Sequence, residues 1–173
     1  MSKHQGRLAG AADFLKASYV SRWGIVCVSK DQSIAEHMYR VWQLTRAWGP
    51  LANLTSSEQA CAEEHALTHD LAEIRTGDCP TPFKGVQIRE ALSRIEESIY
   101  PSLPVTGRVK EFVKYCDTAE AILFLKLHGQ GQHAADVAEL LQQQMLKGLD
   151  ESAFAPLIKQ QLIEAFQSTH DDT

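Results

Sequence analysis

Apolar residues recur at three- and four-residue steps along most of the chain, and this spacing constrains the fold more than any other feature. Ile34, His37, Val41, Leu44 and Trp48 follow one another at steps of 3, 4, 3 and 4. They form one stripe of a helix, and such a stripe faces a core. Strict apolar–polar alternation, the mark of a half-buried strand, is scarce, and only the short run Trp23–Val28 reads as extended. Helices are expected over about 7–20, 33–48, 58–75, 86–99, 107–128, 133–147 and 152–168. Ser33 would cap the second, with Glu36 completing a capping box, and Gly49-Pro50 would stop it. Ser57 would cap the third, which Thr76-Gly77-Asp78 would end. The two prolines of Cys79–Lys84 exclude a helix interior there. Six or seven helices with short links make a compact all-α bundle, expected as a single domain over residues 1–173.

With 173 residues the chain can bury one sizeable core. Its 17 Lys and Arg against 22 Asp and Glu give a net charge of −5. That balance argues against a nucleic-acid polymer or an anionic membrane as partner, since both need a basic surface; a small anionic substrate in a local basic pocket stays compatible with it. No apolar run of about 18 residues and no signal-like start occurs, so neither membrane spanning nor export is expected. Cys27, Cys61, Cys79 and Cys116 include no Cys-x-x-Cys pair and read as reduced thiols of a cytoplasmic protein.

Chemistry is expected where polar residues interrupt apolar faces. His37 lies within the inward stripe of its helix; taken alone, it also fits a core histidine bonded to a backbone carbonyl. Ala62, Ala66 and His69 share a face of the next helix, Asp70 is adjacent, and Glu73 follows His69 one turn on. Asp117 stands beside Cys116 on the face formed by Val109, Phe112, Val113, Cys116, Leu123 and Leu127. A carboxylate buried there needs a cation or several N–H donors. Two imidazoles and two carboxylates directed inward from three helices suit a divalent transition metal with open positions. His65 and His69 are four apart but lack the Glu of a zincin motif, and His128 and His133 read as solvated loop residues.

These residues carry a family resemblance. Ala35-Glu36-His37, then Ala66-Leu67-Thr68-His69-Asp70-Leu71-Ala72-Glu73-Ile74, then Thr76-Gly77-Asp78-Cys79-Pro80-Thr81-Pro82-Phe83-Lys84, resemble an HD-domain phosphohydrolase. Arg22-Trp23 and Asp117 within Tyr115–Ala121 narrow the resemblance to the branch of bacterial 5′-deoxynucleotidases and phage dATP triphosphohydrolases. It covers about residues 20–125; the last 45 residues carry no recognised motif. The resemblance implies His37, His69, Asp70 and Asp117 as ligands of a zinc, cobalt or manganese ion. It implies Glu73 and Asp78 as catalytic carboxylates, and Arg22 and Lys84 as phosphate contacts. It puts Trp23 against the sugar and Ile25 near the base. The implied reaction is metal-assisted hydrolysis between phosphorus and O5′ of a deoxynucleotide, with dATP favoured. A deoxynucleoside 5′-monophosphatase and an inactive nucleotide-binding module are the alternatives. The resemblance also implies a homo-oligomer, in a host cytoplasm if the protein is phage-encoded.

Overall fold

A computed structural model describes residues 11–78, 86–99, 105–150, 152, 154 and 156–168. The elements run α1 (Ala11–Phe14), a 3-10 segment (Leu15–Tyr19), α2 (Ile34–Trp48), α3 (Ser56–Ala66), α4 (Glu73–Thr76), α5 (Val86–Ile99), α6 (Gly107–His128), α7 (Gly131–Asp150) and α8 (Pro156–Ser168). The architecture is the expected all-α bundle.

The bundle is organised around α6, which packs against α2, α3, α7 and α8. Burial on several sides follows from its composition: Phe112, Val113, Cys116, Ala119, Ile122, Phe124 and Leu125 are all buried, on phases that span more than one stripe. The stripe of α2 meets it, with Ile34, His37 and Val41 wholly inaccessible. Leu127 is the exception on the expected α6 face. It lies near the end of the helix and stands 57% exposed.

Helix boundaries follow the caps. The Ser33 hydroxyl accepts from Glu36 N at 3.2 Å, as expected, but the Glu36 carboxylate turns to Lys30 and Arg40 instead of closing a capping box. The reciprocal box belongs to α3, where Thr55, not Ser57, is the cap: Glu58 N donates to Thr55 Oγ1 at 3.2 Å and Thr55 N to Glu58 Oε2 at 2.8 Å.

Three expected elements differ. Trp23–Val28 forms no strand. The described residues offer no neighbouring strand to pair with, so the segment turns at Trp23–Val26 and sends its backbone bonds to the end of α6. Ser29 N bonds His128 O at 2.7 Å, and Gln130 N bonds Cys27 O at 2.9 Å. The helix expected over 58–75 breaks after Ala66. Thr68 Oγ1 donates to the carbonyl of Glu64 at 2.9 Å, and the chain crosses Leu67–Ala72 in tight turns. The first helix shrinks to a single α turn continued as 3-10 within the described residues. His128 closes α6 with its ring 4.8 Å from that of Phe124, and His133 lies within α7, so neither is a loop residue.

Candidate metal centre

Four side chains converge where α2, the 67–72 turn and α6 meet. His37 comes from the first turn of α2 and is fully buried. His69 and Asp70 come from the broken helix, and the break explains how two adjacent residues reach one point. On a continuous helix they would diverge by about 100°. Asp117 comes from the middle of α6. His37 Nε2 lies 3.0 Å from Asp117 Oδ1 and 3.4 Å from Asp70 Oδ2. His69 Nε2 lies 3.5 Å from Asp70 Oδ2 and 3.9 Å from Asp117 Oδ1.

This set fits a metal ion. The donor atoms of His37, His69 and Asp70 all lie within 4.8 Å of one another, close enough to share one ion, and Asp117 Oδ1 approaches both imidazoles from α6. Both Nε2 atoms are buried without a hydrogen-bond partner. The other ring nitrogens fix the tautomers. Nδ1 of His37 donates to the Glu120 carboxylate at 2.6 Å, and Nδ1 of His69 donates to the Ala66 carbonyl at 2.9 Å. Each Nε2 therefore presents its lone pair to the common point. Electrostatics call for a cation there. Burial presses the His69 imidazole toward neutrality, yet Asp70 and Asp117 outweigh it and push its pKa up to about 9. Burial likewise disfavours charge on Asp117, and the adjacent imidazoles of His37 and His69 outweigh it, holding that carboxyl well below its ordinary range.

Of the other expected site residues, Arg22, Trp23 and Ile25 lie before α2, and Glu73 and Asp78 lie in and just after α4. Glu73 opens α4 and is buried. Gly77 ends α4 at φ +73°, a left-handed conformation that suits glycine, and redirects the chain so that Asp78 Oδ2 accepts from Trp23 N at 3.2 Å. Arg22 is only 11% exposed and lies on Glu120 Oε2 at 3.3 Å. The Trp23 ring is buried, stacked on Phe124 at 5.7 Å, so it belongs largely to the core. Ile25 is 55% exposed on the same turn. Lys84 lies outside the described residues. His65 meets His69 edge-on at 6.3 Å, and burial drives its pKa down to about 4, which keeps it neutral.

Sequence reasoning missed Glu120 and Gln32, both buried behind His37. Glu120 did leave a signal: it stands three residues after Asp117, on a helix otherwise buried with apolar side chains. Gln32 left none, because it lies in a loop with no periodic phase.

The chain is similar to known proteins over most of its length. A family model described as 5′-deoxynucleotidase YfbR-like matches residues 11–106. The chain is 46% identical to a dATP triphosphohydrolase of Cyanophage S-2L over 160 residues, 90% of this chain and 91% of that one. It is 29% identical to a dATP triphosphohydrolase of Salmonella phage PMBT28 over 170 residues, 92% and 87% of the two chains. Among solved structures it is similar to the Cyanophage S-2L HD phosphohydrolase DatZ bound to dA and one catalytic Zn2+ ion. The TM-score there is 0.87 at 44% identity, covering 96% of this chain and 99% of that one. Motif, fold and family match agree: the chain belongs to the YfbR-like family of HD-domain phosphohydrolases, and it is a metal-dependent hydrolase.

Proposed function

We propose that this chain hydrolyses dATP to deoxyadenosine and inorganic triphosphate, with zinc held by His37, His69, Asp70 and Asp117. The observation that carries the reading is the convergence of two unpartnered imidazole nitrogens on two carboxylates from separate elements. Support for the substrate comes from the two phage relatives named for dATP triphosphohydrolysis and from the dA-bound neighbour. Support for zinc comes from that neighbour and from the mixed imidazole–carboxylate donors.

When bound, the ion supplies Lewis acidity to the phosphoryl group. Glu73 and Asp78 orient the attacking water, and one of them takes its proton. Water oxygen bonds to the α-phosphorus, the P–O5′ bond breaks, and a proton passes to O5′ as deoxyadenosine departs. Arg22 and Lys84 balance charge on the phosphate oxygens; for Lys84 the warrant is the motif alone. Trp23, so deeply buried, would meet the sugar only along its ring edge. Ile25, exposed on the same turn, would meet the base. A single domain over 1–173 and a homo-oligomer complete this reading. No helix among the described residues is long and apolar enough to cross a membrane.

The family model's description favours one second reading, a 5′-deoxynucleotidase acting on dAMP. Incubation with dATP, dAMP, ATP and dGTP, each with Zn2+, Co2+ or Mn2+, separates the two. Triphosphate from dATP supports the proposal. Orthophosphate from dAMP alone supports the second reading, and binding without turnover would leave a nucleotide-binding module.

A further inference from the structure

Behind His37, a chain of hydrogen bonds ends on one carboxylate. Glu120 is buried, and its Oε2 accepts from His37 Nδ1 at 2.6 Å and from Arg22 at 3.3 Å. Its Oε1 accepts from Gln32 Nε2 at 2.7 Å, and the Arg40 guanidinium lies 3.9 Å away. Gln32 is 1% exposed, and its Oε1 accepts the Trp23 indole N–H at 2.9 Å and Arg22 at 3.4 Å. Indole and guanidinium only donate, so the Gln32 amide has a single workable orientation, oxygen toward Trp23 and nitrogen toward Glu120. Trp23 itself sits at φ +67°, a backbone conformation a bulky side chain seldom adopts. Its own N–H is held by Asp78.

We propose that Gln32 and Glu120 are positioning residues that couple the metal ligand His37 to the turn Arg22–Ile25, so that metal affinity and substrate selection depend on one directional hydrogen-bond chain. The selection half of this inference rests on the function proposed above. Glu120 fixes the His37 tautomer and raises the basicity of the nitrogen facing the metal. Gln32 passes the same anchor to the indole that holds the turn in its strained shape.

Directionality makes the inference testable by an exchange of side chains. In Glu120→Gln the new amide has one acceptor end. If that end meets His37, its NH2 group faces the NH2 group of Gln32; if Gln32 then flips, it opposes the donors of Trp23 and Arg22. Gln32→Glu sets two acceptor-only groups against each other. The double variant Gln32→Glu/Glu120→Gln restores a donor for every acceptor: the position-120 oxygen accepts from His37, its nitrogen donates to position 32, and the new carboxylate accepts from Trp23 and Arg22.

The test measures zinc affinity by competition with a chromophoric chelator, indole near-ultraviolet circular dichroism, and the ratio of kcat/KM for dATP over ATP. Glu120→Gln should weaken zinc by roughly 10–100-fold and reduce the dATP preference. The double variant should recover the parental dichroism and bring the dATP preference to within about twofold of the parent, as a strongly coupled pair requires. Its zinc affinity should stay lowered, because a neutral amide now faces His37. Gln32→Met, which adds no charge, should disturb the dichroism and the preference more than zinc binding. Single variants matching the parent in affinity and dichroism, or a double variant no better than the singles in dichroism, would overturn the inference. Affinity and dichroism need no turnover, so a chain inactive on dATP would sink the proposed function while leaving the coupling itself to be decided.

Discussion

The Glu120 carboxylate stands 2.6 Å from Nδ1 of His37, and this contact decides which ring nitrogen faces the metal centre. A carboxylate accepts, so Nδ1 keeps the proton and Nε2 turns its lone pair toward Asp70 and Asp117. An imidazole so fixed, opposite two carboxylates, is arranged to share a cation with them.

Asp70 tests the ligand set most simply. Its Oδ2 approaches both imidazole Nε2 atoms, at 3.4 and 3.5 Å. Asp70→Ala should abolish zinc retention after gel filtration, read by elemental analysis, and turnover with it. A variant that keeps stoichiometric zinc and the parental rate would remove the assignment.

Glu73 should act in chemistry and not in metal retention. Glu73→Gln keeps the shape of a buried side chain and removes its charge. The expected outcome is unchanged zinc content with kcat lower by about 10²–10⁴-fold, the usual worth of acid–base help. Loss of zinc in step with loss of rate would make Glu73 a ligand instead.

Trp23 carries two loads, and its removal should show both. Its ring stacks on Phe124 at 5.7 Å in the core, so Trp23→Ala should lower stability by about 3–5 kcal/mol. It should also relax discrimination against ATP, measured on the folded fraction at low temperature. Stability lost with selectivity intact would leave Trp23 as a core residue alone.

Glu58 gives a pH prediction away from the site. The Thr55 backbone N–H, then the Arg108 guanidinium and the Thr55 hydroxyl, hold its carboxyl at about 2 against an ordinary 4.5. The folded state thus favours the ionised form. The stabilisation is complete above the ordinary value and is lost as pH falls toward the folded one. Glu58→Gln should melt below the parent at pH 7, and the gap should close between about pH 4.5 and 2. A gap independent of pH would contradict the capping role.

Much of this architecture could be read from spacing. The α2 stripe needed only its 3–4 period, and the inward phases of His37 and Asp117 followed from the apolar residues around them. The break at Leu67–Ala72 was not legible, because Ala66, Leu67, Leu71 and Ala72 favour helix. What interrupts them is the Thr68 hydroxyl bonding back to the chain, together with the His69 ring on the Ala66 carbonyl. Local propensity does not register such bonds. The wall behind His37 escaped notice for a related reason. Gln32 has meaning only through Trp23 and Glu120, the latter 88 residues away in sequence.

In the proposed reaction, the converging His37, His69, Asp70 and Asp117 direct water to the α-phosphorus of dATP. The most direct measurement is phosphorus NMR of the products formed by the zinc-loaded protein in water enriched with oxygen-18. Deoxyadenosine with inorganic triphosphate carrying the label is the predicted result. Pyrophosphate with dAMP, orthophosphate with dADP, or label in the 5′-hydroxyl of deoxyadenosine would contradict it.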